Sequence, residues 1–113
     1  MNNAKQDSLL IVLTSFAKLE DAQNMARELV EQRLAACVQI HEGIRSVYRW
    51  EGKICEEVEV LLSAKTTSGK WTEIAEFIQK NHPYDLPELI GLTPAAYDEK
   101  YGEWIKAEVN LAV

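Results

Sequence analysis

The chain has 113 residues, 47% hydrophobic and 27% charged, with a formal net charge of −6. That length makes one domain with room for a single modest core. The acidic balance argues against a nucleic-acid surface, which needs a basic stripe to displace phosphate counterions, and no apolar run is long enough for membrane insertion.

Residues 1–7, Met1 to Asp7, are polar and read as a flexible N-terminal tail; 8–113 read as a single domain. The apolar run that follows, Leu9 to Leu13, is too short for the core of a signal peptide, so the expected compartment is the cytoplasm. Ser8 to Thr14, with that run inside it, has strand length and suits a central strand buried on both faces.

Leu19, Ala22, Met25, Ala26, Leu29, Val30 and Leu34 then recur at helical spacing, with Glu20, Gln23, Arg27, Glu31 and Gln32 opposite. This predicts an amphipathic helix with Glu20 and Asp21 in its first turn, where the helix dipole favours acids.

Cys37 to Thr66 predicts a long hairpin turning at Trp50-Glu51-Gly52-Lys53. About fourteen residues per arm is far beyond the usual strand of five or six, so part of the ribbon must meet another surface. A second copy of the chain is the natural candidate. Gly43 signals a bulge or bend in the first arm. On the second arm Ile54, Val58, Val60, Leu62 and Ala64 share one face, while Glu57, Glu59, Ser63 and Lys65 line the other. Matching apolar faces sets Trp50 against Ile54, Ile44 against Val60 and Arg45 against Glu59.

Thr67 or Ser68 is placed to cap the next helix, whose stripe is Trp71, Ile74, Ala75, Phe77 and Ile78. Asn81-His82-Pro83 ends it, because the residue before proline avoids the helical region. Pro83 to Pro87 reads as a stiff connector and Glu88 to Thr93 as a fourth strand, interrupted by Gly91. Tyr97, Tyr101, Trp104, Ile105 and Glu108 mark a last helix with Pro94 near its first turn, and Asn110 to Val113 a short edge strand or tail. The order is an α+β, ferredoxin-like βαββαβ sandwich with a long β-hairpin and an extra C-terminal helix. Both sandwich helices share one face of the sheet. The other face is left bare and predicts an interface.

Several stretches together resemble the CutA divalent-cation tolerance family. They are Arg33-Leu34-Ala35-Ala36-Cys37, Tyr48 to Ile54, Glu57-Val58-Glu59, Lys65-Thr66, His82-Pro83-Tyr84 with Pro87-Glu88-Leu89, and Tyr101 with Trp104. The resemblance implies a PII-like homotrimer in which long hairpins join sheet edges, with Tyr48, Trp50 and Ile54 as interface anchors. It also implies a role in tolerance of copper and other divalent metal ions. Members described as binding copper carry a cysteine at the end of the first strand and two adjacent histidines before the Pro-Tyr of the connector. Here those positions read Thr14, Asn81 and His82. His82 is the soft-metal ligand among them, and Cys37 is a further donor. A copper or zinc site wants two to four converging imidazole or thiolate donors.

Three classes of function follow. One is a trimeric metal-response protein binding divalent cations, copper among them, at the subunit clefts. A second is a PII-like signalling trimer taking a small ligand in the inter-subunit cleft near Lys65 and Tyr84. The third is a structural trimer acting through a protein partner. No catalytic residue is assigned: the chain carries no nucleophile elbow, glycine-rich phosphate loop or His-Glu-x-x-His.

Overall fold

The central strand forms where the sequence is most continuously apolar. In the structure, a computed structural model that describes residues 8–110, β1 (Leu9–Phe16) lies between two antiparallel neighbours. The elements that follow are α1 (Leu19–Glu31), β2 (Cys37–Trp50), β3 (Lys53–Thr67), α2 (Trp71–Asn81), β4 (Ile90–Leu92) and α3 (Glu99–Asn110). The sheet order is β2-β3-β1-β4, the ferredoxin-like arrangement. The segments read above as tails, 1–7 and 111–113, fall outside the described residues.

Side-chain alternation divides β1 between two faces. Leu10, Val12 and Phe16 stand opposite Thr66, Ala64 and Val60 of β3. They pack with Ala22, Met25 and Leu29 of α1 and Ile74 and Ile78 of α2 into the main core. Fully buried Phe16, Leu29 and Ile74 each contribute roughly 1.5–3 kcal/mol by leaving water.

The opposite face is not bare. Ile105 and Val109 of α3 are buried outside that core, and α3 contacts β3 and β1. Tyr101 reaches Cys37, which stands opposite Lys65 on the face away from α1. Of α3, Gly102, Ile105 and Val109 are the buried residues, while Tyr97, Tyr101 and Trp104 of the expected stripe stay exposed.

The long hairpin is present, with a register one residue away from that expected. Trp50 pairs with Lys53, Arg49 with Ile54, Ile44 with Glu59 and Arg45 with Val58. Two local causes set this. Glu51 and Gly52 both have positive φ, 50° and 80°, the signature of a two-residue type I′ turn closed by Trp50 and Lys53. A bulge between His41 and Ile44 then opposes Glu42 and Gly43 to Val60 alone. Gly43 has φ 75° with open space around it, so it is needed for its backbone conformation. The extra residue reverses sidedness: Val38 and Ile40 face the helices, whereas Ile44, Ser46, Tyr48 and Trp50 face away from them.

Smaller departures have equally local causes. Residues Ser68–Lys70 form a 3₁₀ turn before α2, and neither Thr67 nor Ser68 makes a side-chain cap; the Ser68 hydroxyl bonds that of Ser8 instead. The fourth strand is shorter than expected, with Gly91 at its centre. A Cβ there would lie 3.1 Å from the Trp71 ring, so glycine lets that half-exposed indole cross the strand. Helix α3 starts five residues after Pro94. Its cap is Asp98, whose carboxylate accepts the Tyr101 N–H at 3.0 Å.

Candidate functional site

Helix α2 stops where proline demands it. His82 precedes Pro83 and is extended, with φ −79° and ψ 140°. Its ring is buried and stacks on Phe16 with centroids 4.3 Å apart. Nδ1 accepts the Tyr84 N–H at 3.1 Å, which leaves the proton on Nε2, and Nε2–H donates to the Ser15 carbonyl at 2.8 Å. Burial pushes the imidazole pKa below its ordinary value, against the opposing pull of the Ser15 carbonyl, Asp21 and Glu59.

This anchoring carries the connector around the end of β1 and over the distal half of the hairpin. The space between them is a cleft of about 670 Å³. Its walls include Tyr48, Trp50 and Tyr84, together with the acids Glu57, Glu59, Asp85 and Glu88, and among the described residues no lysine, arginine or histidine lines it. The bulge is what turns Ser46, Tyr48 and Trp50 to the same side as Glu57, Glu59 and Ser15.

Two phenols organise the acids. Tyr48 OH donates to Glu57 and Tyr84 OH donates to Glu59 at 2.8 Å. The bond to Glu57 is the first cause of a Tyr48 pKa pushed up to about 12. Burial, then the bond to Glu59, pushes Tyr84 up as well. Both hydroxyls therefore stay protonated at neutral pH and act as donors. Glu59 is only 9% exposed, and among the described residues it has no basic partner. A carboxylate so placed lacks the cation that normally accompanies a buried charge.

The residues singled out from sequence fall in different places. Thr14 is fully buried, and among the described residues its hydroxyl has no hydrogen-bond partner. The exposed Asn81 donates its amide to the Phe77 carbonyl one turn back. Both His82 nitrogens are engaged within the chain. A soft metal at these three positions would meet a neutral hydroxyl, an amide and an imidazole already bonded at both ends, a donor set that does not fit copper or zinc. Cys37 is half-buried beside Tyr101, and both it and Cys55 are free thiols. Lys65 bonds Gln39 and is not part of the cleft wall, so one chain does not bring Lys65 and Tyr84 together. Tyr48, Trp50 and Ile54 are all exposed, but Ile54 alternates onto the other face of the ribbon. Asp85 and Glu88 could not be tied to Glu57 and Glu59 from sequence, since the crossing of the connector depends on the Ser15–His82 bond between distant residues.

Comparison with known proteins agrees with this architecture. Residues 10–108 match the family described as CutA1 divalent ion tolerance protein. The divalent-cation tolerance protein CutA of Thermus thermophilus is 40% identical over 96 residues, spanning 85% of this chain and 93% of that protein. Its namesake from Pyrococcus horikoshii is 38% identical over 102 residues, spanning 90% and 99%. The structure of CutA from Synechococcus elongatus superposes with a TM-score of 0.87 at 38% identity, covering 94% of each chain. The chain belongs to the CutA family.

Proposed function

We propose that this CutA-family chain serves divalent-cation tolerance by binding divalent metal ions in the acidic cleft, as a cytoplasmic homotrimer. One observation carries the metal reading: among the described residues, the walls of the cleft hold four carboxylates and no basic side chain. Oxygen donors suit hard cations, and an ion that keeps much of its water shell needs few protein ligands. Such an ion also suits the geometry of a single chain, where no three His, Cys, Asp or Glu side chains converge among the described residues. Copper would be met here by carboxylates, which favour it less than imidazole or thiolate. The reading is of a binding protein and assigns no catalytic step.

The trimer is supported by Val47, Trp50, Ile54 and Val58, apolar side chains standing exposed on a hairpin that outruns its own core. The free thiols of Cys37 and Cys55 suit a reducing compartment. Calorimetric titration with Mn²⁺, Zn²⁺ and Cu²⁺ tests the metal reading. Glu59→Gln and Asp85→Asn are each expected to weaken binding by about tenfold, in line with loss of a charged ligand. Affinity unchanged in both variants would overturn the cleft as the metal site. Light scattering that gives a monomer mass would overturn the trimer.

A further inference from the structure

Resting on the proposed trimer and its acidic cleft, we infer that each cleft receives Arg45 and Arg49 from the hairpin of a second copy, so that assembly and metal binding draw on the same carboxylates. The basis is that the distal hairpin has two unlike faces. One carries Ser46, Tyr48, Glu57 and Glu59, turned toward the connector. The other carries Arg45, Val47, Arg49, Ile54 and Val58, with Glu56 among them.

The second face is left uncovered by its own chain among the described residues. Val47, Ile54 and Val58 are 67%, 60% and 59% exposed, and none of them belongs to the core under the helices. The molecule is 46 Å long and only 27 by 24 Å across, so these side chains stand on a projecting arm. Arg45 and Arg49 stand about 13 Å apart along the strand. Neither makes an ion pair among the described residues. Apolar side chains interleaved with arginine are the composition of a protein interface, where lysine and acids are depleted.

Charge decides how two copies meet. Packing connector-side faces together sets Glu57 and Glu59 against their own counterparts, a costly juxtaposition of like charge. Packing the opposite faces together sets the arginines on one another's side and leaves the acids unanswered. Packing one face on the other brings arginine to glutamate and lays Val47, Ile54 and Val58 against Tyr48 and Trp50. Such a contact between unlike faces is heterologous. It repeats around a rotation axis and closes as a ring, whereas a two-fold dimer needs a face that matches itself. Within the chain the donors to Glu57 and Glu59 are the phenols of Tyr48 and Tyr84, and the partner's guanidinium brings the charge they lack. Glu57 is the exposed acid that it meets first. A divalent ion needs the same oxygens, so the arginine of the next copy is its competitor.

The test is charge reversal on the full chain, with mass followed by light scattering and folding checked by circular dichroism. Arg45→Glu with Arg49→Glu should yield a folded protein whose trimer dissociates at a protomer concentration about tenfold higher or more. Adding Glu57→Arg to that chain should restore assembly, although Glu57→Arg alone should weaken it. The milder Arg45→Gln with Arg49→Gln, titrated with Mn²⁺ where it is still trimeric, should bind the metal about fivefold or more tightly than the unaltered chain. By reciprocity Mn²⁺ should loosen the unaltered trimer and leave that variant indifferent. Assembly untouched by the arginine reversal, or a loss that Glu57→Arg does not restore, overturns the inference and leaves the trimer standing. Mn²⁺ affinity unchanged by the glutamine pair also overturns it. Absence of Mn²⁺ binding beside an intact charge rescue overturns the metal reading and upholds the contact. A monomer in the unaltered chain overturns trimer and inference together.

Discussion

The Nε2–H of His82 donates to the carbonyl of Ser15 at 2.8 Å, across 67 positions of sequence. With Nδ1 accepting the Tyr84 amide, one neutral imidazole fastens the connector to the end of β1. The histidine is thereby a structural joint on which the cleft depends.

Neutrality of that ring makes stability pH-dependent. The folded pKa lies below the ordinary 6.5, so the unfolded chain binds the proton more readily. Stability therefore rises with pH. The contribution is complete above 6.5 and is lost as pH falls from there toward the lowered folded value. Thermal melts between pH 7.5 and 5 should show a declining midpoint. His82→Ala should flatten that decline while costing about 2–3 kcal/mol at pH 7.5, from the lost stack and two hydrogen bonds. A decline unchanged in the variant would assign it to other groups.

Tyr84→Phe removes one donor from the buried Glu59 carboxylate without altering the ring. Chemical denaturation should show a loss of about 1–2 kcal/mol, the usual penalty for stripping a hydrogen bond from a buried charged acceptor. The exposed pair Tyr48 and Glu57 supplies the control, since Tyr48→Phe should change stability far less.

Arg33 follows the end of α1 in a left-handed conformation, φ 58°, where glycine is usual. The Leu34 N–H returns to Leu29 O at 2.9 Å and the Arg33 N–H to Val30 O at 3.1 Å, completing a Schellman cap. The guanidinium explains the unusual residue, for it donates to the Glu108 carbonyl of α3 at 2.9 Å. Arg33→Gly should leave stability within about 1 kcal/mol, as relief of the backbone offsets the lost contact. Amide exchange in the last turn of α3 should nevertheless speed up. Arg33→Ala keeps the strain and loses the contact, and should be the less stable of the two.

Glu51 occupies the first central position of the type I′ turn, at φ 50°. Asparagine tolerates that conformation far better than glutamate. Glu51→Asn should raise stability by roughly 0.5–1 kcal/mol in a denaturant melt. A neutral or negative effect would mean that the turn geometry does not limit the hairpin.

Much of the fold was legible because its signals are local. The apolar run of β1, the helical spacing of Leu19 to Leu34 and the stop at His82-Pro83 each state their structure within a few residues. Gly43 announces the bulge, but matching apolar faces along the whole of β2 takes no account of the added residue, and it sets Arg45 opposite Glu59, where Ile44 stands. Nor does Glu51 advertise a left-handed turn. The cleft was less legible still. His82 attracted notice as a donor, yet its partner Ser15 and the acids it helps to gather lie on separate elements, and no local pattern joins them.

The bulge at Glu42-Gly43 has a meaning for how this chain can change over time. β2 is read in two frames, one before the inserted residue and one after it, much as a message is read either side of an insertion. Deleting either residue would leave Val38 and Ile40 at their posts over the core while re-addressing Tyr48 and Trp50 to the wrong side of the ribbon. Loss of a single position would erase the aromatic wall while the domain still folded around its buried strands. Length at this point is thus under tighter constraint than the identity of most residues around it, and descendants of this sequence are freer to substitute the residues that flank Gly43 than to shorten the strand.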